Sequence, residues 1–191
     1  MPEDGGPQVT VNTIGLSRPI GLALTANGDL YIADSFNDRV VMVPADGSGQ
    51  VTVPTSGLLH PNGLALDGAG NLFVANFVDD RVVKVPADGG PQTTVPATGL
   101  SRPTRLAFDG RGNLFVSDSG NDPGGVELPA GGGPQRTVPA TGLNSPYGLA
   151  FDPAGALYIA DFDNDRVVKL PVRDGQRAPA GPAVPPGRDA C

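Results

Sequence analysis

A Leu-x-x-Pro step recurs along the chain, with its prolines at Pro19, Pro61, Pro103 and Pro146, spaced 42, 42 and 43 residues apart. A fixed period of this length marks a repeat architecture, in which no unit can bury its apolar face alone and neighbours must stack. Each proline leads into a short apolar segment: Gly21-Leu22-Ala23-Leu24, Gly63-Leu64-Ala65-Leu66, Arg105-Leu106-Ala107-Phe108 and Gly148-Leu149-Ala150-Phe151. A turn rich in Gly, Asn and Asp follows, as in Asp67-Gly68-Ala69-Gly70-Asn71, because these residues tolerate left-handed backbone angles. Glycine (28) and proline (21) make up about a quarter of the 191 residues, a level that signals disorder only when the two lack a period. Here they punctuate a repeat.

Three more segments complete each unit. The second reads Leu30-Tyr31-Ile32-Ala33, Leu72-Phe73-Val74-Ala75, Leu114-Phe115-Val116-Ser117 and Leu157-Tyr158-Ile159-Ala160. The third reads Arg39-Val40-Val41-Met42-Val43, Arg81-Val82-Val83-Lys84-Val85 and Arg166-Val167-Val168-Lys169-Leu170, and in the third unit departs to Asp122-Pro123-Gly124-Gly125-Val126-Glu127-Leu128. The fourth is short: Val51-Thr52-Val53, Thr93-Thr94-Val95 and Arg136-Thr137-Val138. Four or five residues, β-branched or aromatic, between turn signals, read as strands, and no helical period competes.

The expected fold is all-β: a small β-propeller of four four-stranded antiparallel blades. The blades run over about 13–54, 55–96, 97–139 and 140–171, within a domain 1–171. Gly5-Gly6-Pro7-Gln8-Val9-Thr10-Val11 matches the fourth-strand segment Gly89-Gly90-Pro91-Gln92-Thr93-Thr94-Val95. The strand 7–12 is therefore expected to complete the last blade and close the ring. Residues 172–191 read as an irregular Pro/Gly-rich tail, since proline donates nothing to a sheet ladder.

Composition narrows the function. No run approaches the ~20 apolar residues that span a bilayer, so membrane insertion is not expected. A net charge of −7 and 5% aromatic residues disfavour nucleic acid, whose binding rests on Lys and Arg. Cys191 is the single cysteine and His60 the single histidine, which excludes a disulfide framework and the usual Cys/His zinc sites. Met1-Pro2-Glu3-Asp4-Gly5-Gly6 has no secretory signal, so the chain as written is expected in the cytoplasm, or outside the cell if it is part of a receptor-type protein.

The units resemble NHL repeats, on Pro-x-Gly-Leu-Ala-Leu-Asp-Gly-x-Gly-Asn-Leu-Phe-Val-Ala (Pro61 to Ala75) and Ala-Asp-x-x-Asn-Asp-Arg-Val-Val (Ala33 to Val41). In texture they are similar to the propeller sensor domains of bacterial receptor serine/threonine kinases. The resemblance covers residues 5–171 and implies a propeller. It implies a ligand- or protein-binding module, a sensor or scaffold, without a cofactor. The alternative it carries is a metal-assisted lyase or hydrolase of the streptogramin-lyase-like type, in which a histidine and acidic residues act with magnesium; His60 lacks a matching partner motif. The family commonly closes with about six blades, against four units here, so a homodimer is expected if the ring is incomplete.

Each unit also carries an acidic loop between its second and third strands. Asp161, Asp163 and Asp165 imitate the first half of a calcium loop, but Arg166 and Val172 stand where that loop needs glycine and glutamate. An Asp–Arg pair with Asn holding the turn, repeated blade by blade, is the expected role. Breaks in the repeat are more informative. The residue after each link proline varies (Ile20, Asn62, Thr104, Tyr147), and Arg105 stands where the other units have glycine. Arg18, His60, Asn62, Arg102, Arg105 and Tyr147 are the expected binding residues on the loop face, for a protein, a peptide or a small anionic ligand that an Arg fork matches. No catalytic constellation and no metal ligands are expected.

Overall fold

The computed structural model describes residues 7–121 and 124–172. It contains fifteen strands in four antiparallel sheets. The first holds β1 (Pro19–Leu24), β2 (Leu30–Asp34), β3 (Arg39–Val43) and β4 (Val51–Thr52), paired in that order. The second holds β5 (Pro61–Leu66), β6 (Leu72–Asn76), β7 (Arg81–Val85) and β8 (Thr93–Thr94). The third holds β9 (Pro103–Phe108), β10 (Leu114–Asp118), β11 (Gly125–Leu128) and β12 (Arg136–Thr137). The fourth holds three strands, β13 (Pro146–Phe151), β14 (Leu157–Asp161) and β15 (Arg166–Leu170).

The turns obey the chemistry read from the sequence. Gly28, Gly70, Gly112 and Gly155 all take positive φ between 81° and 92°, where a side chain would strain the backbone. In the second sheet Asp67 Oδ1 accepts from the amides of Ala69 and Asn71, which sets the register of β5 against β6.

The core lies between the sheets. Val40 and Val53 of the first pack with Leu58, Leu64 and Val74 of the second. Ala75 and Val82 of the second pack with Leu100, Leu106 and Val116 of the third. Phe115 and Val138 of the third pack with Leu143, Leu157 and Ile159 of the fourth. Stacking brings the leading strands side by side, β1 on β5, β5 on β9 and β9 on β13. Glycine is demanded there. A Cβ on Gly21 would stand 2.1 Å from the Asn62 carbonyl oxygen, and one on Gly63 2.5 Å from that of Thr104.

One expectation is corrected. Residues 7–12 pair with no strand among the described residues and are exposed, so they do not mend the fourth sheet. The physical reason lies at the two ends of the stack. Leu22 and Leu24 of the first sheet are 62% and 66% exposed and Val167 of the last is 68% exposed, so these faces do not meet and the sheets form an open arc. Of the segment 172–191, read as an irregular tail, residues 173–191 lie outside the described residues.

Candidate functional site

The acidic loops are built as latches. Asp34 is fully buried; its Oδ1 accepts from the Ser17 amide, and its Oδ2 from Asn37 Nδ2 and Arg39 Nε at 2.8 and 2.7 Å. Asp161 repeats this with Asn144, Asn164 and Arg166. The second sheet inverts the chemistry: Asn76 stands in the aspartate's place and donates to Asp79. That swap keeps one amide and one carboxylate in the latch. A second bond runs between sheets, with Asp38 accepting from the His60 amide and Asp80 from that of Arg102. Arg18, His60, Arg102 and Ser145 occupy one repeat position and all have φ between 47° and 57°.

These carboxylates titrate in opposite senses. Burial raises the pKa of Asp34 and of Asp161, but the bonds from backbone amide, asparagine and arginine outweigh it and hold both below the ordinary value. Asp118 lacks an arginine in its latch among the described residues, and burial, aided by the charge of Asp80, pushes its pKa up despite bonds from Asn121 and Ser101. A depressed folded pKa gives stability that is present above the unfolded value of ~3.9 and lost as pH falls through the folded one. A raised one has the opposite sign, and folding gains as pH falls through it. Between pH 6 and 3, the Ser17 and Asn144 amides should lose hydrogen-exchange protection at the acid end. The Ser101 amide should hold or gain protection above ~pH 4.

The structure sorts the sequence-derived residues into two groups. Arg18 lies over the Phe36 ring at 4.4 Å, and Phe36 stacks on His60 with centroids 4.8 Å apart. Phe36 escaped the sequence reading; Val78, Gly120 and Asp163 stand at its position in the other loops, so a break in the repeat was there to be seen. Asn62, Arg105 and Tyr147 form the second group. Arg105 Nη1 donates to Asn62 Oδ1 and to the Thr104 carbonyl, and its guanidinium lies 5.4 Å from the Tyr147 ring centre. Arg102 joins neither group; its carbonyl accepts from the Ser119 hydroxyl and amide.

Arg105 fits because its surroundings break the repeat with it. Ser117 replaces the alanine of the other sheets (Ala33, Ala75, Ala160). Its hydroxyl accepts from the Arg105 amide at 2.9 Å, lies 2.8 Å from Thr104 Oγ1 and contacts the Tyr147 carbonyl at 3.2 Å. Thr104 is fully buried and bonds to the Pro146 carbonyl, which ties β9 to β13. Gly21 and Gly63 are forced by the neighbouring carbonyl, whereas Arg105 has space beside a serine that engages the Tyr147 carbonyl.

The guanidinium is only partly exposed, and burial lowers its pKa. Among the described residues it has no carboxylate partner, and its hydrogen bonds run through Nη1. A cation held by an amide and an aromatic face suits a carboxylate or a carbonyl oxygen that gains charge.

Stacked four-stranded antiparallel sheets, with leading strands side by side and links at one end, define the β-propeller class. The family model described as "SMP-30/Gluconolactonase/LRE-like region" matches residues 3–120, more than half of the chain, and the chain belongs to that family. No curated protein matches it. Among solved structures it is similar to a gluconolactonase from Xanthomonas campestris (21% identity, TM-score 0.70, 83% of this chain and 60% of that one). It is also similar to a streptogramin B lyase (17% identity, TM-score 0.65, 80% and 54%). A chain of the nidogen/laminin complex shares the fold as well (26% identity, TM-score 0.67, 81% and 65%). The chain thus spans between about half and two thirds of the length of these propellers.

The magnesium chemistry implied by the streptogramin-lyase-like alternative needs clustered donors. Among the described residues no three His, Cys, Asp or Glu side chains stand together. His60 is stacked on Phe36, and the carboxylates of Asp34 and Asp161 are held by arginine and asparagine. This donor set does not fit a divalent ion. No helix among the described residues is long and apolar enough to cross a membrane.

Proposed function

We propose that the chain is a propeller of the lyase or hydrolase kind that acts on a small ester, a cyclic ester foremost, with Arg105 as the group that receives the carbonyl oxygen or the product carboxylate. Family membership supports the reaction class, and one observation carries the site: a fixed guanidinium that has no carboxylate partner among the described residues, on a leading strand where two other sheets are forced to glycine. In hydrolysis of a lactone, water oxygen adds to the carbonyl carbon, the ring C–O bond breaks, and a water proton passes to the ring oxygen. Charge builds on the carbonyl oxygen during the addition. A preorganised donor in a partly dry site stabilises that charge, and its loss costs about a hundredfold or more in rate. Asn62 and Tyr147 position the guanidinium from the two flanking sheets.

Turnover of an aldonic acid lactone, followed by acid release in a pH-stat, tests this reading. The expected result is a kcat/KM reduced about a hundredfold in Arg105→Ala, with partial recovery in Arg105→Lys, which keeps the charge but not the fork. Absent turnover by the wild-type chain, with saturable binding of the aldonate that Arg105→Ala abolishes, would replace the enzyme by a binding module of the sensor kind. Failure of both turnover and binding overturns the proposal.

A further inference from the structure

Three exposed apolar side chains come together on the link face. Phe36 stands in the loop after β2, Leu59 in the link to the second sheet and Val78 in the loop after β6, and they are 47%, 41% and 51% exposed. Contacts join them into a row. The Arg18 guanidinium lies over the Phe36 ring at 4.4 Å, and Phe36 stacks on His60 at 4.8 Å. His60 follows Leu59 in the link, and the Leu59 carbonyl accepts from the Val78 amide at 3.3 Å. Elsewhere the repeat is small or polar at these positions. Phe36 and Val78 share theirs with Gly120 and Asp163, and Leu59 shares its own with Ser17, Ser101 and Asn144. A fold that accepts serine and aspartate there does not require phenylalanine or leucine, and a contiguous apolar patch left in water marks an interaction site.

The cationic end of the row is also not demanded by the backbone. Arg18 and His60 take φ of 47° and 48°, a region that glycine enters without strain. The same links use glycine three residues earlier, at Gly15 and Gly57 with φ of 67° and 62°, yet keep arginine and histidine here. A guanidinium over a ring face keeps its N–H groups for other acceptors, and among the described residues that of Arg18 has no hydrogen bond or carboxylate partner.

We propose that this row docks an extended segment of a partner protein, with apolar side chains against Phe36, Leu59 and Val78 and a neighbouring carboxylate on Arg18. An extended chain advances ~3.3 Å per residue and can follow a row laid from one sheet to the next. Phenylalanine and arginine are the kind of residue that protein interfaces concentrate. Charge selects the occupant. Arg18 draws a carboxylate, whereas Asp79 and Asp80 at the far end, on a chain of net charge −7, repel an anionic bilayer.

The acetylated, amidated peptide Glu-Leu-Leu-Gly, titrated into the full chain by calorimetry and NMR, tests this. His60 is the only histidine, so its ring proton signals report on the row alone. Saturable shifts of those signals are expected, with affinity falling roughly tenfold or more for Lys-Leu-Leu-Gly and for Glu-Ser-Ser-Gly. Leu59→Ser and Phe36→Asp install residues that other units carry at these positions, so both should keep the wild-type circular dichroism and lose the binding. Arg18→Glu should reverse the preference between the Glu and Lys peptides. Arg105→Ala should bind as the wild type does, which separates this docking from the ester reading. No response to the Glu peptide overturns the proposal, as does equal affinity for all three peptides. So does binding that survives both Leu59→Ser and Arg18→Glu. Hexanoate bound as tightly as the peptide would make the row a small-acid site, and cosedimentation with phosphatidylserine vesicles would make it a membrane contact; either overturns it too.

Discussion

Gly21→Ala is expected to be the most damaging single substitution of a small residue in the chain. The added methyl would lie 2.1 Å from the Asn62 carbonyl oxygen, 3.1 Å from the Leu64 nitrogen and 3.2 Å from the Asn62 carbonyl carbon. All three are backbone atoms of a buried strand, so no side-chain rotation relieves the clash. β1 must back away from β5, opening the core that Val40, Leu64 and Val74 share. Overpacking of this kind costs ~3 kcal/mol or more. Urea unfolding followed by circular dichroism should show a clearly lowered midpoint. Gly110→Ala is the control: nothing lies within 4 Å of its Cβ position, and stability should stay within ~0.5 kcal/mol. Equal midpoints for the two variants would refute the side-by-side stacking of the leading strands.

Asp34→Ala is expected to come close behind. The substitution leaves the Ser17 amide, the Asn37 amide group and Arg39 Nε without their shared acceptor. Asp34 is fully buried while the Arg39 side chain is 30% exposed, so water re-solvates the arginine more readily than the half-buried Ser17 amide. A loss of ~2–3 kcal/mol follows, less than for a wholly buried pair. Asp34→Asn should recover part of it, since the amide oxygen can still accept from Ser17 as Asn76 does from Leu59. Adding Asn37→Asp to Asp34→Asn rebuilds the arrangement of Asn76 with Asp79 and should recover more. The loss caused by alanine should shrink in acid, where the wild-type carboxylate is protonated; a loss unchanged between pH 7 and 3 would contradict the latch.

Much of this was legible beforehand because it is local. The strands, their register-setting turns and the Asp–Asn–Arg latches each lie within one 42-residue unit, where residue type alone favours the geometry. The candidate site was legible in its members but not in its grouping. Arg105 breaks the repeat in plain view, yet its partners Asn62 and Tyr147 lie 43 and 42 residues away, on either side. Ser117 was the missed signal, a hydroxyl where three units have alanine, and its role depends on a carbonyl of the next sheet. That glycine is obligatory at positions 21 and 63 likewise emerges only once the neighbouring strand is in place.

The order of residues alone determined the repeating β-unit and the propeller class, since alternation, β-branching and turn chemistry act over a few residues. Only the tertiary structure decided that the first and last sheets stand apart. It also settled that, among the described residues, the leading segment leaves the last sheet three-stranded, and that one cation sits between an amide and an aromatic ring. Those outcomes depend on how far each sheet rotates past the one before it. That rotation is a small angle set by packing, accumulated over many contacts, and no local pattern encodes it.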